Sequence, residues 1–124
     1  MWQRARDLAT ACRKVCRLLP REVQYALSDQ ILRAAVSIAG NIAEGRGRLS
    51  KADNVRHLAI ARGSLMELES HLDLASDMEY VAAEQTLYAR DLTGEVGRML
   101  NAQIRKLGKR TLTSDSKQPR QADR

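Results

Sequence analysis

The chain has 124 residues, of which 44% are hydrophobic and only 3% aromatic, with two prolines, seven glycines and no phenylalanine. That length fits one domain around a single core, and with no strand-like alternation the chain reads as all-α with an aliphatic, alanine-rich interior. Net charge is +6, and neither a charged-then-apolar leader nor an apolar run near the roughly 20 residues that span a bilayer is present, which predicts a cytoplasmic protein with no membrane partner.

The first predicted helix covers about Trp2 to Leu18, where Ala5, Leu8, Cys12, Val15 and Leu19 recur at helical spacing. Pro20 ends it, because a proline inside a helix removes a hydrogen bond. Cys12 and Cys16 stand four apart on this helix, a poor spacing for an intrahelical disulfide, and read as buried reduced thiols. The second helix runs from about Glu22 to Glu44, with Leu27, Ile31, Ala34, Ile38 and Ile42 on one face. Gly45 is expected to close it as a left-handed C-cap. Ser50 is placed to cap the third helix, with Asp53 as a capping-box-like acid. That helix extends from about Lys51 to Ser76 on the stripe Leu58, Ala61, Leu65, Leu68, Leu72 and Ala75. A turn around Asp77 to Tyr80 leads to the fourth helix, about Ala82 to Leu107, with Leu92, Val96, Met99, Leu100, Ile104 and Leu107. Short connections force antiparallel neighbours, so residues 1–107 are predicted to form an up-down-up-down four-helix bundle. Residues 108–124 carry almost no apolar content and are expected to be a disordered basic tail.

No catalytic constellation accompanies this pattern. A di-iron bundle needs Glu-x-x-His on two helices, whereas Glu69 and His71 are two apart and His57 lies about 21 Å from His71 along the axis at 1.5 Å per residue. Each histidine therefore reads as a packed or surface residue. The Gly45-Arg46-Gly47 turn is too short for a phosphate loop, and no nucleophile elbow or zinc spacing occurs. The expectation is a non-enzyme with no cofactor and no metal.

Charge is strongly segregated. Residues 1–62 hold 12 Lys/Arg against 5 Asp/Glu, residues 63–97 hold 1 against 8, and residues 98–124 hold 8 against 2. Folding the bundle collects Arg4 and Arg6 at one end with Arg46, Arg48, Lys51, Arg56, Arg98, Arg105, Lys106, Lys109 and Arg110, the last nine being candidate contacts to nucleic acid. At the other end Arg13, Lys14, Arg17 and Arg21 are expected to meet Asp73, Asp77, Glu79 and Glu84. A basic end is the footprint that phosphate backbones require, and a solvated helix surface is its bland alternative. Aromatic platforms are missing, so readout would rest on backbone and shape.

A polar stripe runs beside the apolar ones: Gln30, Arg33, Ser37, Asn41 and Glu44 on the second helix, and Asp53, Arg56, Ser64 and Glu67 on the third. Ala34, Ala35, Ala39, Gly40 and Ala43, and on the next helix Ala59, Ala61 and Gly63, are small enough to let the two backbones approach. We read Arg33, Ser37, Asn41, Glu44, Ser64 and Glu67 as a structural polar seam, with Arg33 paired to Glu67 and Asn41 to Ser64. Ile38 and Ile42 with Val36 and Ala39 spread around more of the second helix than one internal stripe requires, and Ile60 falls beside the third helix's seam, which fits either a subunit interface or a wide core face.

These residues resemble a known family. Trp2, Gln3, Ala5 and Leu8, then Leu19, Pro20, Glu22, Tyr25, Leu27 and Gln30, then the run Asn41, Ile42, Ala43, Glu44, Gly45, and finally Gly63, Ser64, Leu65, Glu67, Leu68 and Glu69 are similar to the four-helix-bundle proteins encoded in intervening sequences of large-subunit rRNA genes. That family is ribosomal-protein-like by name, and it includes the accessory variability determinant proteins of diversity-generating retroelements. The resemblance covers nearly the whole bundle. It implies a small helical subunit that assembles as a homopentamer, and for the accessory branch a basic protein that binds nucleic acid and a reverse transcriptase in support of mutagenic cDNA synthesis. His57 stands where an aromatic residue is frequent in the family, and the chain starts almost at the Trp2 segment.

The resulting expectation is a non-enzymatic scaffold that binds RNA or an RNA/DNA hybrid, partnered by further copies of itself and by a reverse transcriptase. The alternative is an rRNA-associated or protein-interaction module with no reverse-transcriptase role.

Overall fold

The computed structural model describes residues 1–116, with side chains described to residue 108. It contains α1 (Trp2–Leu18), α2 (Arg21–Arg46), α3 (Lys51–Asp77), a 3-10 turn (Ala83–Thr86) and α4 (Leu87–Ser116), with no strand among the described residues. The helices form the expected antiparallel four-helix bundle. α1 packs on α2 and α4, and α3 packs on the same two, so α1 and α3 are diagonal. The α2–α3 hairpin is the broadest contact.

The heptad-like stripes become the core. Ala5, Leu8, Cys12 and Val15 of α1, Ile31, Ala34, Ile38 and Ile42 of α2, and all six predicted α3 positions are buried. Leu92, Val96, Leu100 and Leu107 of α4 join them, while Leu27 and Ile104 pack at the margin. Burying each leucine fully contributes about 1.5–3 kcal/mol relative to exposure. No aromatic side chain is needed to fill the interior because alanine and β-branched positions let the four helices sit close.

The boundaries follow local chemistry. Leu19 adopts an extended conformation (φ −69°, ψ 143°), as a residue before proline must, and its carbonyl accepts from Gln24 Nε2 at 2.9 Å. Ser50 Oγ accepts from the Asp53 backbone N–H at 3.2 Å, the expected N-cap. α3 closes with Glu79 at φ 61° and the Tyr80 N–H bonded to the Ala75 carbonyl at 2.9 Å, which satisfies carbonyls of the last turn. The Ala82 N–H donates to Gln85 Oε1 at 2.9 Å and starts the 3-10 turn, so α4 begins five residues later than the spacing alone predicts.

Two boundaries differ more instructively. Gly45 lies inside α2, Gly47 follows the helix at φ −83°, and no glycine has a positive φ among the described residues. Gly45 is therefore not a left-handed cap. A Cβ there would stand 2.6 Å from Asn54 Oδ1 and 3.3 Å from the Asn54 carbonyl oxygen and from His57 Cβ, so this glycine is required by the approach of α3. At the other terminus α4 continues through Ser116, so residues 108–116 of the expected disordered tail have helical backbone. No proline interrupts this stretch, and helix propagation adds one hydrogen bond per residue once the helix is nucleated. Residues 117–124, the rest of that expected tail, lie outside the described residues.

Candidate nucleic-acid interface

The turn between α2 and α3 carries cations because Arg46, Arg48 and Lys51 fall within six positions around it. The structure sorts them. Arg48 Nη2 donates to Glu44 Oε1 at 2.8 Å, and Arg48 Nε lies 3.6 Å from Asp53 Oδ2. Arg56 Nε donates to the other Asp53 oxygen at 3.1 Å. Glu44 and Asp53 thus balance Arg48 and Arg56. Such exposed pairs are worth about 0–1 kcal/mol each, and their larger effect is to reduce the positive potential of these two arginines. Arg46 and Lys51 are exposed and make no ion pair among the described residues.

The fourth helix supplies the second part. Arg62 Nη1 donates to Asn101 Oδ1 at 3.3 Å, and a Cβ on Gly97 would lie 3.1 Å from Leu65 Cδ2, which fixes the antiparallel register of α3 and α4. In that register Arg105 and Lys106 run toward the start of α3, exposed and without ion pairs among the described residues. Arg98 does not belong to this end. It stands level with Leu65, about 21 Å along α3 from Lys51 at 1.5 Å per residue, and lines a shallow groove with Arg62, Met66 and Glu69. The side chains of Lys109 and Arg110 lie outside the described ones. Of the remaining candidates, Arg46, Lys51, Arg105 and Lys106 are the unpaired cations. Arg4 is held by Asp7 at 3.1 Å and Glu95 at 3.2 Å, and Arg6 lies over the Trp2 ring at 4.8 Å.

The polar seam exists with different partners. Ser37 Oγ and Ser64 Oγ are 2.8 Å apart, and Asn41 Nδ2 donates to Ser37 O at 2.9 Å and to Ser37 Oγ at 3.2 Å. Asn41 therefore reaches Ser64 through Ser37 rather than directly. With its amide nitrogen committed, Asn41 Oδ1 must accept from His57 Nδ1 at 3.0 Å. The network so assigns the ring proton to Nδ1, leaving the Nε2 lone pair to accept from Arg56 Nη2 at 3.2 Å. Arg33 is not in the seam: 76% exposed, it pairs with Asp29 one turn back at 2.8 Å, and Glu67 is exposed on α3 with no ion pair among the described residues. Arg33 fails to reach Glu67 because it projects from the solvent side of α2. Glu44 likewise points outward to Arg48. The flanking small residues are divided in the same way. Ala34, Ala35 and Ala61 are buried, whereas Gly40 and Gly63 face open space.

His57, 8% exposed, is the seam residue that spacing within one helix does not reveal. Its signal is the hairpin register. Ser37 opposite Ser64 and Gly45 opposite Asn54 place Asn41 beside His57. At the far end, Arg13, Lys14, Arg17 and Arg21 make no ion pair with the acids, and Asp73 is joined instead by Arg90; the cations of α1 cannot reach Asp73 and Asp77 because α1 and α3 are diagonal. Cys12 and Cys16 are buried free thiols, as expected. Burial, then the neighbouring Cys16, pushes the Cys12 thiol up to about 12. Burial also raises Cys16, against smaller lowering by Ser28 and Arg13.

Comparison with known proteins adds an independent line. The family model described as 23S rRNA-intervening sequence protein matches residues 1–102. Among solved structures, a protein of unknown function of the S23 ribosomal protein family from Bacteroides thetaiotaomicron superposes with a TM-score of 0.77 at 28% identity, over 83% of this chain and 96% of that one. No curated protein matches.

Proposed function

This chain belongs to the 23S rRNA-intervening sequence protein family, and from that premise we propose that it is a non-enzymatic scaffold that binds RNA or an RNA/DNA hybrid through the basic end of its bundle. The observation that carries the reading is the set of exposed cations, Arg46, Lys51, Arg105 and Lys106, that no acid of the described chain neutralises. In this reading they contact phosphates and release counterions, with little base discrimination because Trp2, the aromatic residue at the start of α1, is already covered by Arg6. Copies of the chain assemble, a homopentamer being the state the family resemblance implies, and repetition of the basic end around the assembly raises avidity. The finer assignment is an accessory protein of a diversity-generating retroelement, acting beside its reverse transcriptase in mutagenic cDNA synthesis; the basic charge of the chain supports it. Arg48 and Arg56 are left with a structural part, holding the α2–α3 turn to Glu44 and Asp53.

The competing reading is a protein-interaction module, favoured by exposed apolar residues such as Val36 and Met66. The variant Arg46→Glu/Lys51→Glu separates the two in pull-down and gel-shift assays with a reverse transcriptase and RNA. Loss of RNA binding is the expected result. Intact RNA binding with loss of the protein partner would favour the interaction module instead.

A further inference from the structure

The long sides of the bundle carry charges that do not meet within one chain. Arg13, Lys14 and Arg17 are exposed along α1 and make no ion pair among the described residues. They border a groove of about 460 Å³ between α1 and α2, floored by Ala9, Leu32 and Val36. Two adjoining depressions share Leu32, so the groove continues along α2 from Gln24 to Ser37. Val36 is 62% exposed.

The diagonal helix presents the complement. Opposite its buried stripe, Gly63, Glu67, Ser70, Leu74 and Asp77 recur at steps of four and three, and all are exposed. Met66 lies beside them, 65% exposed. Gly63 and Ser70 are small, Leu74 and Met66 make the ridge partly apolar, and Glu67 and Asp77 have no ion pair among the described residues.

We propose that the α1–α2 groove receives the outer ridge of α3 from a second copy of the chain. The proposal rests on the reading that the chain assembles with itself and names the two surfaces that meet. Arg13 and Arg17 match the signs of Glu67 and Asp77, and Leu32 and Val36 give Leu74 and Met66 an apolar floor to cover. A polyanion would satisfy the cations but leave that floor wet. Groove and ridge are different surfaces of one subunit, so the contact is heterologous and repeats from copy to copy. The charged rim makes it sensitive to salt.

The test is the mass in solution, by light scattering on full-length protein at high micromolar concentration and low salt. Four chains are compared: wild type, Arg13→Glu/Arg17→Glu, Glu67→Arg/Asp77→Arg, and the four-fold charge swap. Helical circular dichroism reports folding in each. The expected result is a multiple of 13.9 kDa for wild type, collapse toward one chain in each double variant, and recovery in the charge swap. Unchanged mass in the double variants, or no recovery in the swap, overturns this pairing of surfaces while leaving self-assembly standing. A wild-type mass of one chain overturns both. Loss of RNA binding by Arg13→Glu/Arg17→Glu at unchanged mass assigns the cations to nucleic acid and overturns the pairing.

Discussion

Gly45 shows how a residue can be marked in the sequence for one reason and fixed in the fold for another. Its place beside Arg46 and Gly47 reads as punctuation, since local φ freedom is what glycine usually supplies at a helix end. The constraint comes instead from space: the side-chain oxygen of Asn54, buried with no hydrogen-bond donor among the described residues, stands 2.6 Å from where a Cβ would be, with the Asn54 carbonyl and His57 Cβ close behind at 3.3 Å. Gly45→Ala should therefore destabilise the protein by about 1–2 kcal/mol in urea unfolding, overpacking outweighing the better helix propensity of alanine. Gly40→Ala, which meets open space, should do the reverse by roughly 0.5–1 kcal/mol. Equal responses at the two positions would remove the close-approach account. Cys12 makes a second residue-scale prediction. Its ordinary value of 9.0 is raised to about 12 on folding, so the unfolded chain ionises first. The stabilisation is complete below pH 9 and is lost as pH rises from 9 toward 12, by up to about 1.4 kcal/mol per pH unit. Wild-type stability measured against Cys12→Ala should converge on the variant across that window; a constant difference would contradict the burial of the thiol.

Elements were legible where one face repeats without interruption. α1 ends where Pro20 requires, and α3 begins where Ser50 and Asp53 place a cap. Periodicity was less informative at the ends of α2 and α4, where the helix runs on through Gly45 and Gly108 because contacts with a neighbour or simple propagation extend it. The seam was half legible for a related reason. Within α2 the spacing of Ser37 and Asn41 marks a polar edge, but which residue of α3 faces them depends on the hairpin register, which one helix does not encode. Arg33 and Glu67 share the right height and the wrong azimuth. Asn41→Ala removes the donor to Ser37 and the acceptor for the buried His57 Nδ1–H, and should cost about 1–3 kcal/mol. Arg33→Ala and Glu67→Ala should each change unfolding free energy by no more than about 0.5 kcal/mol. Thermal or urea denaturation of the three variants checks the order, and an Arg33→Ala effect equal to that of Asn41→Ala would place Arg33 back in the seam.

At the scale of the whole molecule, the order of the helices decides what segregated charge can do. A bundle in which α1 and α3 are diagonal keeps Arg13, Lys14 and Arg17 of α1 from Glu67 and Asp77 of α3, so these charges remain on the surface for other molecules. The segregation itself was plain from counting residues. Neutralisation was not, because it depends on reach: Arg48 and Arg56 fall within range of Glu44 and Asp53, while Arg46 and Lys51 do not. The basic end is thus narrower than the charge count implies, and Arg98 stands outside it. The most direct test is the salt dependence of binding between the wild-type protein and a labelled structured RNA, followed by fluorescence anisotropy. The account predicts measurable affinity at low salt and a log–log slope of about −2 or steeper, as expected when several phosphates are neutralised, with a shallower slope for Arg105→Gln/Lys106→Gln. No binding at low salt, or an affinity indifferent to salt, would contradict it.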